Sequence, residues 1–460
     1  MSDPRMTAQD PGDGGNLPSG GARGHRPPPS TFAGEARPNG SAFLLLLAAF
    51  GAYFSMYALR KPITVTEFGG EYLPGTGVEL KTALLVGQIL GYAISKFLGI
   101  RICSTLRAEW RARTLVGLIL LAELSLCTMA ILPPGWQVMA MFINGLPLGM
   151  VWGLVIRYLE GRRISDLLLA GLSASYVLSS GVVKDVGRWL MVHGGISEEW
   201  MPAAAGALFL IPFLASVALL ERAPGPDQAD ELERVHRKPM STQERGAFLR
   251  RFGAGLIPLV MAYLILTAYR DFRDNYGIEV FRELGFLEVP GLFTRTELPA
   301  AVGVVLLFAF LTRVRNSRRA LKVLFGIMTL GSGIVLGSTW LFRAGSLDGL
   351  TWMILCGVGA YMAYTPVGAM LFDRLTAADR VAGTAVFGIY VADAVGYGGS
   401  VGVQLFRDLG AAQFSRLEFF VGLSQITAWG GLLLLPLSGI LMMRALGGTP
   451  HSPSPPAVAE

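Results

Sequence analysis

Charge is what this sequence has least of. Only 16% of its 460 residues are Asp, Glu, Lys or Arg, whereas a soluble protein carries about 25%, so there are too few charges to cover a water-facing surface. Histidine is scarce too: His25, His193, His236 and His451 all fall in tails or loops. Three cysteines, Cys103, Cys127 and Cys356, lie far apart with no CxxC pair, which excludes a disulfide framework, a zinc site and a redox motif. Zinc-protease and Walker patterns are absent, and no enzymatic constellation or cofactor is expected. Period-2 alternation is missing from the apolar runs, which excludes an outer-membrane barrel.

What is present is apolar length. Hydrophobic residues make up 52% of the chain and mean hydropathy is +0.49, enough for roughly twelve spans of about 20 residues. Apolar runs fall at 41–66, 80–100, 112–132, 136–156, 166–190, 202–220, 254–276, 297–312, 321–342, 349–371, 381–405 and 417–443. The expected fold is therefore an all-α polytopic membrane protein of twelve transmembrane helices in two six-helix bundles. The polar break from Glu221 to Phe252 carries seven Lys/Arg and separates the bundles. The expected organisation is a disordered arm at 1–40, bundles at 41–220 and 253–446, a cytoplasmic linker at 221–252 and a disordered tail at 447–460. The arm is marked by eight Gly and seven Pro, the tail by four Pro in its last twelve residues. The first apolar segment is long enough to remain as a span, so no cleavable signal is expected.

The net charge of +6 raises the question of nucleic acid, but topology accounts for it. When loops are assigned to alternate sides, twenty-six of the thirty-nine Lys/Arg fall on the side of both termini and ten on the other. Cytoplasmic loops collect Lys and Arg, so both termini are expected in the cytoplasm, and nucleic acid is not expected as a partner. The expected setting is the inner membrane of a bacterium, as a monomer, with the bilayer and a small anionic solute as partners.

Two halves repeat. Tyr57-Ala58-Leu59-Arg60 pairs with Ala268-Tyr269-Arg270, Pro147-Leu148-Gly149-Met150 with Pro366-Val367-Gly368-Ala369-Met370, and Gly171 with Gly383, each at a spacing of roughly 210–220 residues. A charge inside hydrocarbon costs at least about 2.5–3.5 kcal/mol, so ionisable residues within the runs need partners or a water-filled path. Arg60 and Arg270 occupy equivalent places. If helix 1 continues through Lys61-Pro62-Ile63-Thr64, the two guanidinium forks face each other at one depth and clamp a dianion; otherwise both snorkel to the outer interface. Arg273 is an alternative half of the clamp. Lys96 is either an interfacial anchor or a contributor to the anion path. Lys184 and Asp185 form either a local pair or a proton relay. Glu123 and Asp393 either take up protons or pair with a basic residue. Tyr53, Tyr57, Tyr92, Tyr361 and Tyr364 either line a cavity or pack, and Gly171 to Ser175 and Gly396 to Ser400 read as close-packing helix faces.

The string Tyr53-Phe54-Ser55-Met56-Tyr57-Ala58-Leu59-Arg60-Lys61-Pro62 resembles the helix 1 signature of the organophosphate:phosphate antiporters of the major facilitator superfamily, the glycerol-3-phosphate and hexose-phosphate transporters. The resemblance continues in Tyr92 to Phe97, Gly149 to Arg157, Tyr364-Thr365-Pro366 and Ala382-Gly383-Thr384-Ala385. It implies that Arg60 and Arg270 grip a phosphate, with Lys61 and Lys96 beside them. The family's helix 5 histidine has no counterpart in Ala174 to Gly181. Cys103 stands where the superfamily's loop has aspartate, and Thr312-Arg313 stands for Asp-Arg after helix 8. These departures imply a divergent bacterial branch. The function expected is secondary transport of a small organic anion, in the form of a phosphorylated metabolite exchanged for phosphate. Proton symport of another solute through Asp393, Glu123 or Asp185, or a non-transporting membrane sensor, are the alternatives.

Overall fold

The computed structural model describes residues 40–159, 165–223, 242–314, 316–379 and 386–447. The N-terminal arm, most of the linker (224–241), the tail and the string Ala382 to Ala385 lie outside the described residues. The helices are α1 (Gly40–Tyr57), α2 (Leu80–Thr105), α3 (Arg111–Ile131), α4 (Pro134–Leu159), α5 (Ser165–Val192) and α6 (Met201–Arg222). They continue as α7 (Thr242–Asn275), the short α8 (Gly277–Glu283), α9 (Leu292–Thr312), α10 (Ser317–Arg343) and α11 (Gly349–Pro366). After α11 come a π-turn (Val367–Leu371), α12 (Phe372–Asp379), α13 (Val386–Leu409) and α14 (Arg416–Gly447). The twelve apolar runs correspond to α1–α7, α9–α11, α13 and α14. Among the described residues nine helices are long and apolar enough to cross a membrane, and Phe43–Tyr57 is a shorter apolar helix. The remaining two, α5 and α13, carry charges along their length.

The first expectation to be corrected concerns helix 1. The α-helix stops at Tyr57 rather than running through Thr64, and the next amides bond three residues back: Ala58 to the Ser55 carbonyl at 3.0 Å, Arg60 to Tyr57 at 3.0 Å. Pro62 cannot donate an amide to Ala58 and its ring crowds that carbonyl, so the chain tightens into a 3-10 turn, Pro62–Val65. Arg60 thus projects from a turn. The second concerns the linker: its last residues, from Thr242, are the opening turns of α7.

Helices pack through glycine where backbones must touch. A Cβ at Gly91 of α2 would lie 2.0 Å from the Phe142 carbonyl oxygen of α4, and one at Gly145 would lie 2.2 Å from that of Gln88. As expected of its small-residue face, α13 lies against α7 through Gly396 and Gly399. The first six helices contact one another, with α4 against α2 and α3, and α1 against α5 and α6. From α7 onward, α7 packs on α13 and α14, and α11 on α9 and α10. Between these sets run two long seams, α5 along α9 and α2 along α13. The face carrying the start of α1 and the end of α6 is termed inner, the opposite face outer.

Polarity is inverted relative to a soluble protein. Ile211 is 75% exposed and Ile131 70%, whereas Lys184 and Lys81 are 2% exposed. Apolar side chains face the hydrocarbon and charges face inward, the arrangement a bilayer imposes.

Candidate functional site

Arg60 is buried among the helices. Its Cζ lies 4.0 Å from the ring centroid of Tyr92 on α2 and 5.9 Å from that of Tyr57. The side chain is 9% exposed and, among the described residues, forms no ion pair or hydrogen bond. A guanidinium held by ring faces alone keeps five N–H donors for something else. Neither arginine of the expected clamp snorkels to the outer interface. Arg270 repeats the stacking in the other half, its Cζ 4.1 Å from the Tyr364 ring, but its Nη2 and Nε also donate to the adjacent Asp271 at 2.7 and 3.1 Å. Tyr57 lies within electrostatic reach of both arginines, as does Tyr397. The two arginines therefore lie in one region of the interior, Arg270 paired with Asp271 and Arg60 without an ion pair among the described residues.

The remaining cations are committed to carboxylates. Lys61 and Lys184 both pair with Asp274, Ser180 donates to the same carboxylate at 2.6 Å, and the Lys184 ammonium also reaches the Asp274 carbonyl at 2.7 Å. Lys61 further donates to Asn275 at 3.3 Å. The local Lys184–Asp185 pair is thus corrected. Successive helical residues point 100° apart, so Lys184 reaches α7, while Asp185 accepts the Phe293 and Thr294 amides at 3.1 and 2.7 Å and the Thr294 hydroxyl at 2.6 Å. Asp185 caps the start of α9 from another helix, a role that leaves neither oxygen for relaying protons.

Arg273, offered above as an alternative clamp residue, donates to Glu297 at 2.6 Å and to the Met353 carbonyl at 3.0 and 3.3 Å. It braces α7 against α9 and α11. Lys96 is no interfacial anchor: its ammonium lies 2.5 Å from Asp393 of α13, whose other oxygen accepts the Tyr263 hydroxyl at 2.7 Å. Glu123 stands apart on α3 with one oxygen buried and unpaired, pressed against Gly206, whose added Cβ would lie 2.0 Å from it. Tyr364 stacks on Tyr263 at 4.9 Å. An aromatic ladder runs from Tyr53 through Trp152 and Tyr176 to Tyr361, at 4.8, 6.4 and 6.5 Å, and crosses from the first set of helices to the second.

Pairing the buried charges shows which cations keep unused donors. Among the described residues Lys96, Arg270 and Arg273 each face a carboxylate of their own, Lys61 and Lys184 share Asp274, and Arg60 has no ion pair. Such an interior attracts an anion.

Sequence reasoning missed Glu297, Tyr263, Tyr176 and Tyr397, whose partners lie on distant helices. It also missed an outer layer of charge. Arg416 donates to Asp408 at 3.1 Å and pairs with Glu79, and the Glu79 amide donates to Asp408 at 3.0 Å. Lys81 pairs with Glu279 at 2.5 Å, and Arg282 with Glu67. Burial pushes the Glu279 carboxyl above the usual range, opposed by the Lys81 ammonium. These contacts join the first six helices to the later ones at the outer end of the seams.

Residues 62–444 match the family described as "family of unknown function (DUF5690)". No curated protein matches. Among solved structures, a mutant of the peptide transporter POT in complex with sulfate aligns with TM-score 0.56 at 14% identity over 88% of this chain and 96% of that one. A D-xylose–proton symporter aligns with TM-score 0.55 at 15% identity over 86% and 97%. A bacterial homologue of the human lysosomal transporter Spinster, in an inward-facing conformation, aligns with TM-score 0.53 at 13% identity over 89% and 96%. These likenesses carry the major facilitator fold and do not extend to the phosphate-antiporter branch.

Proposed function

The chain belongs to the DUF5690 family and has the major facilitator fold, and from that premise we propose that it is a secondary transporter of a small organic anion. It works by alternating access of the two sets of helices to the central chamber. The observation that carries this reading is Arg60, a buried guanidinium stacked on Tyr92 with no protein acceptor among the described residues. A free guanidinium fork suits a carboxylate or phosphate edge. A phosphorylated metabolite exchanged for phosphate is the form to which the helix 1 resemblance points. Arg60 is the principal ligand and Arg270 the second, released from Asp271 when the anion arrives; Tyr57 and Tyr364 flank them. Lys61 and Lys96 shape the field while held by Asp274 and Asp393, and Arg273 serves as a brace. The same reading puts the protein in a bacterial inner membrane with both termini cytoplasmic, an orientation that the Lys/Arg bias of its loops supports.

The test is counterflow in proteoliposomes preloaded with phosphate, with a panel of phosphorylated and carboxylated solutes outside. Uptake of at least one anion, abolished in Arg60→Lys, is the expected result; uptake equal in Arg60→Lys and the native protein would refute the assignment. Proton-coupled symport has one observation in its favour, the buried Glu123 Oε2, which has no hydrogen-bond partner among the described residues. It predicts uptake that collapses with a protonophore and in Glu123→Gln. A sensor would bind an anion without flux.

A further inference from the structure

Among the described residues, the ion pair of Lys96 with Asp393 joins α2 to α13. Lys96 lies fifteen residues after Lys81 on the inward-running α2, and Asp393 lies seven residues into the outward-running α13, so the pair sits in the inner half of the seam. The pair is partly buried, its side chains 21% and 14% exposed, and each charge has further contacts. The Asp393 carboxylate receives Lys96 on one oxygen at 2.5 Å and the Tyr263 hydroxyl on the other at 2.7 Å. The Lys96 ammonium faces the Tyr92 and Tyr397 rings at 5.5 and 5.0 Å, and these two rings meet edge to face across the same seam at 5.8 Å. The void bounded by Ala93, Lys96, Phe97, Asp393, Ala394 and Tyr397 measures about 10 Å³, room for a single water at most.

We propose that Lys96 and Asp393 are the gating pair of the inner end of the chamber, a latch that holds α2 to α13 and must part for the chamber to open inward. Two charges in a partly buried seam attract more strongly than in water, and separating them requires water to surround both. The seam therefore has two stable arrangements, sealed with the pair made and hydrated with it broken, and few between. Arg60 lies on the same Tyr92 ring, so an anion seated on Arg60 sits beside Lys96 and competes with Asp393 for it. The latch itself does not depend on the identity of the cargo.

The experiment measures opening directly. Cys103, Cys127 and Cys356 are replaced by alanine, Ala394→Cys is introduced behind the latch, and an impermeant thiol reagent is applied to the inner face of sealed vesicles. K96Q and D393N should each speed labelling by about tenfold or more, and the exchanged pair K96D with D393K should return it to the native rate. Native rates in both single variants, or an exchanged pair that labels as fast as they do, would overturn the proposal. A second measurement leaves both charges in place: Ala93→Cys with Ala394→Cys should cross-link on mild oxidation and stop transport until reduced. Failure to cross-link, or undiminished transport when cross-linked, would also overturn it. Loss of anion binding with the labelling pattern intact would refute the anion reading and leave the latch standing.

Discussion

Replacing Arg60 should separate ligand binding from stability, because its surroundings differ from those of every other interior cation. Its guanidinium is 9% exposed and contacts the Tyr92 ring at 4.0 Å, with no carboxylate partner among the described residues. Removing such a charge removes a desolvation cost and leaves no counter-ion stranded. Arg60→Met should therefore stabilise the ligand-free protein, by about 1 kcal/mol, where buried ion pairs replaced by apolar residues gain 1–4. Arg273→Met should do the reverse. Glu297 would lose its partner at 2.6 Å and the Met353 carbonyl two donors, and a stranded buried charge costs about 3–5 kcal/mol. For binding the order inverts. Arg60→Lys keeps the charge but loses the paired donors, each charge-assisted bond being worth about 1.5–3 kcal/mol, so the bound anion should weaken about ten- to hundredfold. Thermal unfolding in detergent, with and without the anion at about 100 times its Kd, measures both quantities, since saturation at that level adds about 2.7 kcal/mol. If Arg60→Met destabilises the protein as much as Arg273→Met and leaves the ligand-induced shift intact, Arg60 is a structural residue and the chamber is misassigned.

Asp274→Asn should be far more damaging than Lys184→Met: the first strands Lys61 and Lys184 together, while the second leaves Lys61 on Asp274. The yield of folded, monodisperse protein reports the difference. Gly145→Val should cost about 1–3 kcal/mol or more, because its Cβ would meet the Gln88 carbonyl oxygen at 2.2 Å and part α2 from α4; equal thermal stability would show that the contact is looser. Asp348 caps α11, accepting the Thr351 amide at 3.0 Å, and its bonds to Thr351 hold its carboxyl below the usual range. Its contribution is therefore present above the unfolded carboxylate pKa and is lost as pH falls through the lower folded value. Asp348→Ala should cost about 1 kcal/mol near neutrality, and a thermal-unfolding titration should show the two proteins converging in acid.

Much of the architecture is legible in one dimension. Apolar runs, separated by polar breaks, mark where helices cross, and the scarcity of charge leaves few places to search for a site. Arg60 and Arg270 are legible because a duplicated pattern puts Tyr and Arg at equivalent positions, and both lie near Tyr57. The course of helix 1 past Tyr57 is not legible, since an apolar run does not reveal whether Pro62 lets the helix continue or tightens it into a turn. Glu297 and Tyr263 offered no local signal at all.

By itself the sequence determined the class of protein, the number of helices and the short list of interior charges, because hydrophobicity and the cost of a charge in hydrocarbon act on each residue separately. Only the tertiary structure decided which charges neutralise one another. Lys184 passes over its neighbour Asp185 for Asp274, and Lys96 meets Asp393 across 297 positions. An ion pair depends on the angle at which each side chain leaves its helix and on which helices share a seam, and neither is written in residue spacing. Arg60 emerged as the cation left over, and that property belongs to the whole interior rather than to any segment of the chain.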